Sequence, residues 1–109
     1  MNNSLFRYMR SLLMFDLPVE TTKNRRDYQK FVKFLKKQGF YMFQESIYVK
    51  LSINEASAAL LEKTIKNNLP DNGTISMLIL TEKQFNSIVV LLGDVESDVL
   101  MSLDRVVDL

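Results

Sequence analysis

The most constraining feature of the sequence is a short apolar run that ends abruptly in a carboxylate. Residues 12–15 read Leu-Leu-Met-Phe, and Asp16 follows them directly. Side chains alternate between the two faces of a strand, so consecutive apolar residues predict a strand that is buried on both sides. Pro18 blocks the continuation of a strand or helix and indicates a turn. We therefore expect a buried strand over residues 9–15 that carries Asp16 to the rim of a sheet.

A basic amphipathic helix is predicted after this turn. Thr21 or Thr22 is suited to cap its start, and Gly39 is suited to end it. Phe34 fits neither face of the helix well, which makes it a candidate for contact with a partner. At 100° per residue, one face is apolar and a narrow sector opposite is cationic. The apolar residues are Tyr28, Phe31, Val32 and Leu35, and the cations are Arg26, Lys30, Lys33 and Lys37.

The middle of the chain predicts two strands and a second helix. Odd positions from Phe43 to Ile53 are mostly apolar, which is typical of a strand, and a bend near residues 44–46 would split it in two. Gln44, Ser46 and Tyr48 would then share one polar face toward a second copy, and Ser46 is a poor candidate nucleophile because no base is available for it. A second helix is predicted over residues 55–68, with Ala58, Leu61 and Ile65 on its buried side.

Two further strands are predicted, over residues 75–80 and 88–92, with a turn or a single helical turn between them. The order predicts an α+β fold, a ferredoxin-like βαββαβ sandwich with an extra C-terminal strand. Residues 1–93 would form this domain, and residues 94–109 a C-terminal tail. Because the helices would cover one face of the sheet only, we expect a sheet-to-sheet homodimer to cover the other.

Composition excludes several kinds of chemistry. Histidine and cysteine are both absent, so the chain has no disulfide, no zinc site of the usual ligands and no imidazole base. Hydrolysis would need a carboxylate or a metal-bound water. No apolar stretch approaches the roughly 20 residues that span a membrane, and the N-terminus is unlike a signal peptide. We expect a cytoplasmic protein that does not bind a membrane.

Asp16 has two interpretations. As a turn residue, it would accept backbone hydrogen bonds before Pro18. As a metal ligand at a strand end, it would hold Mg²⁺ together with the same residue of a second copy, because that ion is usually held by one or two carboxylates plus phosphates.

The cations also have two interpretations. The net charge is only +1, but cations outnumber acids between residues 7 and 37, and the balance reverses between residues 94 and 109. The basic face of the first helix is either a solvated surface or a phosphate-binding surface. The candidate nucleic-acid-binding residues are Arg7, Arg10, Lys23, Arg25, Arg26, Lys30, Lys33 and Lys37.

The C-terminal tail ends in a short segment with a preference for strand formation. It would either add an edge strand to another chain or fray. The candidate partner-binding residues are Arg105, Val106, Val107 and Leu109.

The motifs together resemble a known family. "RSLLMFDLP", "NRRDYQKFVKFLKKQGF", "QESIYVKL" and "GTISMLILTEKQF" are similar, in this order and spacing, to the CRISPR-associated Cas2 family, in particular to its type II branch. The resemblance runs from about Phe6 to Gly93. It implies a ferredoxin-like fold and a homodimer that lies between dimers of the CRISPR integrase (Cas1) and holds duplex DNA during spacer acquisition, with the C-terminal segment in contact with the integrase.

The resemblance also implies a role for Asp16, which corresponds to the proposed Mg²⁺ ligand of the family. On that basis some members are assigned metal-dependent endoribonuclease or DNase activity, and single-stranded RNA is a further candidate partner. One departure bears on this role. Several members assigned as nucleases carry Arg two residues before the Gln of the "QxS" stretch, and here that position is Met42.

Three functions remain open from the sequence. The first is a DNA-binding scaffold in CRISPR adaptation, and the second is a Mg²⁺-dependent phosphodiesterase that acts through Asp16. The third is a regulatory ferredoxin-like domain that binds a small molecule, which would give no reason for the clustered Lys and Arg residues.

Overall fold

A four-stranded antiparallel sheet organises residues 8–94, the part of the chain that the computed structural model describes. The chain forms β1 (Met9–Asp16), α1 (Thr22–Lys37), β2 (Tyr41–Gln44), β3 (Ile47–Ser52), α2 (Glu55–Lys66), β4 (Thr74–Thr81) and α3 (Glu82–Asn86). The strand order is β2-β3-β1-β4, with α1 and α2 as the connections between β1 and β2 and between β3 and β4. The predicted α+β, ferredoxin-like βαββαβ fold is confirmed.

β1 lies inside the sheet and contributes to a hydrophobic cluster on each face. Leu13 pairs with Tyr48 of β3, and both side chains belong to the cluster on the helix side, with Phe31 and Leu35 of α1. Leu12 points to the opposite face and joins a second cluster. The expectation that this strand is buried on both sides is confirmed, because both leucines are at most 9% exposed.

α1 forms where the sequence predicts it. The Thr21 side chain accepts a hydrogen bond from the backbone N–H of Asn24 at 3.0 Å, which satisfies one of the free donors at the helix start. After the helix, Gly39 adopts a φ of +98°, a conformation that favours glycine. Phe31 and Leu35 are buried, and the cations of the opposite sector are exposed. The amphipathic pattern therefore places a basic face on the outside of the molecule.

The second face of the sheet has a cover that the sequence did not reveal. α3 forms over residues 82–86, and its Phe85 side chain, 1% exposed, packs on Phe43 with ring centroids 5.8 Å apart. The expectation that the helices cover one face only is therefore wrong for this part of the sheet. Leu51 and Leu78 remain 42% and 49% exposed, so part of this face is still open.

The expected strand over residues 88–92 does not form within the described residues, and this prediction was wrong. Val89, Leu91 and Leu92 are 73%, 92% and 95% exposed. Apolar composition alone does not make a strand, because the backbone also needs a neighbouring strand to pair with, and residues 88–92 have none among residues 8–94. The C-terminal edge strand expected from the tail lies outside the described residues, as do Arg7, Arg105, Val106, Val107 and Leu109.

The prediction that Gln44, Ser46 and Tyr48 share one polar face is also wrong. The predicted bend does exist, since Ser46 has a φ of +66° and the pairing of β2 with β3 shifts at this point. This shift separates the three side chains. Tyr48 is buried on the helix side, where its ring stacks on Phe15 at a centroid distance of 5.7 Å.

We expect Gly73→Ala to destabilise the fold where β1 ends. Gly73 has a φ of +105°, and a Cβ there would lie 2.5 Å from Cδ2 of Leu17 and 2.8 Å from the backbone oxygen of Asp16. The conformational cost and the contact with backbone should together lower the free energy of unfolding by about 2 kcal/mol or more. Gly93→Ala is the matched control, because Gly93 has a φ of +97° with nothing within 4 Å. Equal losses for both variants in chemical denaturation would contradict the role of the close contact.

Candidate nucleic-acid interface and strand-end carboxylate

Asp16 is the last residue of β1, and its side chain is exposed. It lies opposite Thr74 of β4, at the end of the sheet where the β2–β3 turn also lies. Within residues 8–94 the carboxylate accepts no hydrogen bond and forms no ion pair, so the structure contradicts the interpretation as a turn anchor. The interpretation as a metal ligand stays a prediction.

A shallow depression surrounds this carboxylate and brings a second acid toward it. The polar residues that line it are Asp16, Glu45, Ser46, Thr74 and Ser76. The β2–β3 turn is held there by a hydrogen bond from the backbone N–H of Phe15 to the backbone oxygen of Ser46, at 3.1 Å. The described residues contain no group of three or more acids that could hold a metal within one chain. One copy therefore offers a partial set of oxygen ligands.

Glu45 is not among the site residues predicted from the sequence. The sequence does predict the turn that contains Glu45. A strand that pairs antiparallel with β3 must end beside the start of β3, and therefore beside the β2–β3 turn. The strand order was needed to recognise that this strand is β1.

Four cations of α1 form a continuous exposed strip, which we name the α1 cationic stripe. Within the described part of the chain, none of them forms an ion pair. Their spacing of three or four residues places them on one side of the helix. The stripe consists of Arg26, Lys30, Lys33 and Lys37.

Two other predicted cations near the start of α1 are engaged locally. The Lys23 ammonium lies 2.7 Å from a carboxylate oxygen of Asp27 and 3.1 Å from one of Asp71, and these hydrogen bonds raise the pKa of Lys23. Arg25 donates to the backbone oxygens of Val19 and Glu20 at 2.9 and 3.2 Å. Both side chains remain exposed, but their donors already have partners.

Arg10 occupies the interior and not the basic surface expected for it. It is 2% exposed, and its Nε and NH2 donate to Oε1 and Oε2 of Glu82 at 2.7 and 2.9 Å. Its NH1 also donates to the Tyr41 hydroxyl, and its guanidinium lies 4.6 Å from the ring centroid of Phe85. Burial alone would lower the pKa of Arg10, but the hydrogen bond and charge of Glu82 raise it above the ordinary value. Arg10 thus attaches α3 to the sheet.

Comparison with known proteins identifies the family. The family model described as "CRISPR associated protein Cas2" matches residues 9–88. This chain belongs to the Cas2 family. A Cas2 protein of Ligilactobacillus salivarius is 46% identical over 99 residues, which cover 91% of this chain and 98% of the relative. A Cas2 protein of Streptococcus mutans is 41% identical, with 91% of each chain covered. The resemblance seen in the sequence is confirmed, and the protein is CRISPR-associated.

The names of these relatives and a solved structure add two facts. Both Cas2 relatives are called "CRISPR-associated endoribonuclease Cas2". A crystal structure described as "cas2" superposes with a TM-score of 0.57 over 83% of this chain and 92% of that chain, at 19% identity. This likeness supports the Cas2 fold. Among residues 8–94, no helix is both long and apolar enough to cross a membrane.

We expect Glu82→Ala to weaken the attachment of α3. The substitution leaves the buried Arg10 guanidinium without its carboxylate, and since Glu82 is 29% exposed the loss in free energy of unfolding should be about 1–3 kcal/mol, below that of a fully buried pair. Glu62→Ala is the control, because the Glu62–Lys66 pair is exposed and should contribute about 0.5 kcal/mol or less. Urea denaturation of both variants measures the difference. Similar losses in the two variants would show that the Arg10–Glu82 pair stabilises the fold no more than an exposed ion pair does.

Proposed function

We propose that this Cas2 protein is a DNA-binding scaffold in CRISPR adaptation. In this role a homodimer binds duplex DNA fragments and bridges dimers of the CRISPR integrase, Cas1. The α1 cationic stripe is the observation that carries the proposal, because its exposed cations form no ion pair within residues 8–94 and are therefore available to phosphates. A domain that binds a small neutral or cationic ligand would not require this cluster of positive charges.

The geometry of the stripe suits a phosphate backbone. Arg26 and Lys37 are separated by about 16 Å along the helix axis at 1.5 Å per residue. Neutralisation of phosphates by these side chains releases counterions from DNA, which supplies affinity without base contacts. Such contacts position a protein on the duplex and carry no sequence information directly, as suits a scaffold that accepts DNA of many sequences.

The proposed homodimer is supported by the uncovered part of the sheet. Leu51 and Leu78 lie on the face that α3 leaves open, and both are more than 40% exposed. A two-fold axis over this face would bury the same leucines of both copies. The same axis would place Asp16 near the partner subunit's Asp16 if it passed close to the strand ends.

A second candidate function is Mg²⁺-dependent cleavage of nucleic acid. The observation that favours it is the exposed carboxylate of Asp16, which has no hydrogen bond or ion pair among residues 8–94. Mg²⁺ is usually held by one or two carboxylates together with water and phosphate oxygens, so the carboxylates of Asp16 and Glu45 have the right chemistry to hold it. The ion would polarise a phosphate and lower the pKa of a bound water. Met42 packs against the helix-side cluster, and its uncharged side chain cannot supply a cation to a phosphate. For this reason we propose the scaffold role first and cleavage second.

We expect Lys30→Gln combined with Lys33→Gln to weaken duplex DNA binding and reduce its salt dependence. Each lost phosphate contact should lower the slope of log Kd against log salt concentration by about 0.9. Lys63→Gln combined with Lys66→Gln is the control, because it removes the same charge from the exposed side of α2. Fluorescence anisotropy at several salt concentrations measures both slopes. A slope that falls equally in the two variants would contradict a specific role for α1.

We expect Asp16→Asn to abolish any Mg²⁺-dependent cleavage of single-stranded RNA. It should leave the free energy of unfolding unchanged within about 0.5 kcal/mol, because the carboxylate has no partner among residues 8–94 to lose. Glu20→Gln makes the same charge change at a nearby exposed position and should retain the activity. A gel assay with and without Mg²⁺, paired with a thermal melt, provides the measurement. Equal cleavage by the wild-type and Asp16→Asn proteins would remove Asp16 from any nuclease role.

A further inference from the structure

A groove separates α1 from the loop that joins α2 to β4. It has a volume of about 320 Å³, at the lower end of the range for sites of small ligands. One wall is the α1 face with Asp27, Lys30, Phe31 and Phe34, and the other is the loop at residues 67–71. The groove lies on the helix side of the sheet, and none of the residues that line it lines the depression around Asp16.

The lining combines an aromatic ring with free amide groups. Phe34 is half-buried, and its ring is stacked on Phe31 at a centroid distance of 6.2 Å, which holds it in place. The Asn67 side chain makes no hydrogen bond within residues 8–94, so its amide can both donate and accept. Asn68 uses its Nδ2 to donate to the backbone oxygen of Thr64, and its Oδ1 can still accept.

The charges around the groove are balanced. Asp27 and Asp71 both line it, and both carboxylates are bound by the Lys23 ammonium. With Lys30 at the rim, the two acids are offset by two cations. The groove is therefore suited to an uncharged part of a ligand, while the stripe beside it is suited to the phosphates of that ligand.

The groove is continuous with the α1 cationic stripe. Lys30 belongs to both, and Phe34 follows Lys30 by four residues and precedes Lys37 by three. Residues at these spacings are neighbours on a helix surface. The ring of Phe34 is therefore placed beside the path that a phosphate backbone would follow.

We propose that this groove binds one unpaired nucleobase of a nucleic-acid strand whose phosphates contact the stripe. The base would stack against Phe34, and its hydrogen-bonding edge would face the amides of Asn67 and Asn68. A phosphate alone would not use the aromatic ring, and a paired base could not enter the groove because its edge is already occupied. The subsite rests on the proposed binding of nucleic acid by α1, and it adds a preference for single-stranded segments, such as frayed or unpaired ends.

The test compares a single-stranded oligonucleotide containing 2-aminopurine with a duplex of the same sequence. Stacking of one base on an aromatic side chain is typically strong enough that Phe34→Leu should weaken binding of the single strand about fivefold or more. The variant should also restore 2-aminopurine fluorescence that stacking quenches in the wild-type complex, and it should leave duplex affinity unchanged. Tyr8→Leu is the matched control, because Tyr8 is an exposed aromatic residue outside the groove.

Asn67→Asp provides a second variant that does not depend on the packing of Phe34. It adds a negative charge to an exposed position in the groove and should weaken single-strand binding more than duplex binding. Equal effects of Phe34→Leu on both nucleic acids, or no effect on either, would overturn the subsite.

A titration with adenosine monophosphate, followed by NMR, separates this proposal from the proposed function. Shifts of the side-chain amides of Asn67 and Asn68 without any duplex binding would support the subsite and contradict the scaffold role. Duplex binding by the stripe without such shifts, and without preference for the single strand, would overturn the subsite alone.

Discussion

The burial of β1 on both faces is the constraint on which the rest of the structure depends. Leu13 packs against α1 on one side, and Leu12 packs against the cluster that includes Phe85 on the other. β1 also pairs with β3 and β4 along its two edges, so it positions both neighbouring strands as well as both hydrophobic clusters. The strand ends in solvent at Asp16, so the most buried strand also delivers an exposed acid to the sheet rim.

α1 illustrates how one helix serves both folding and the proposed binding. Phe31 and Leu35 are required by the core, which fixes the rotation of the helix about its axis. This rotation leaves the opposite side with no packing role, and there the charges of Lys30 and Lys33 remain available. Phe34 lies at the boundary between the two sides. Its ring packs against Phe31 at the edge of the core and remains partly exposed.

The fold could be predicted largely from local patterns, whereas the site required tertiary information. Residue alternation and helix periodicity indicated β1, α1 and the split at residues 44–46. The burial of Arg10 could not be predicted, because its partner Glu82 is 72 positions away in the sequence. The prediction of a strand over residues 88–92 was wrong for a related reason. Strand formation depends on a neighbouring strand to pair with, which local composition does not reveal. Glu45 became a candidate only when the strand order placed its turn beside Asp16.

The position of β4 has a consequence for how the protein behaves at high concentration. β4 is an edge strand within residues 8–94, and its eight residues, TISMLILT, contain neither a charged residue nor a proline. Edge strands in soluble proteins commonly carry such residues, which discourage the edges of separate molecules from pairing. An exposed, uncharged edge of this length is prone to join others through its backbone and form aggregates. We therefore expect the solubility of the purified protein to depend on whether another chain segment occupies this edge.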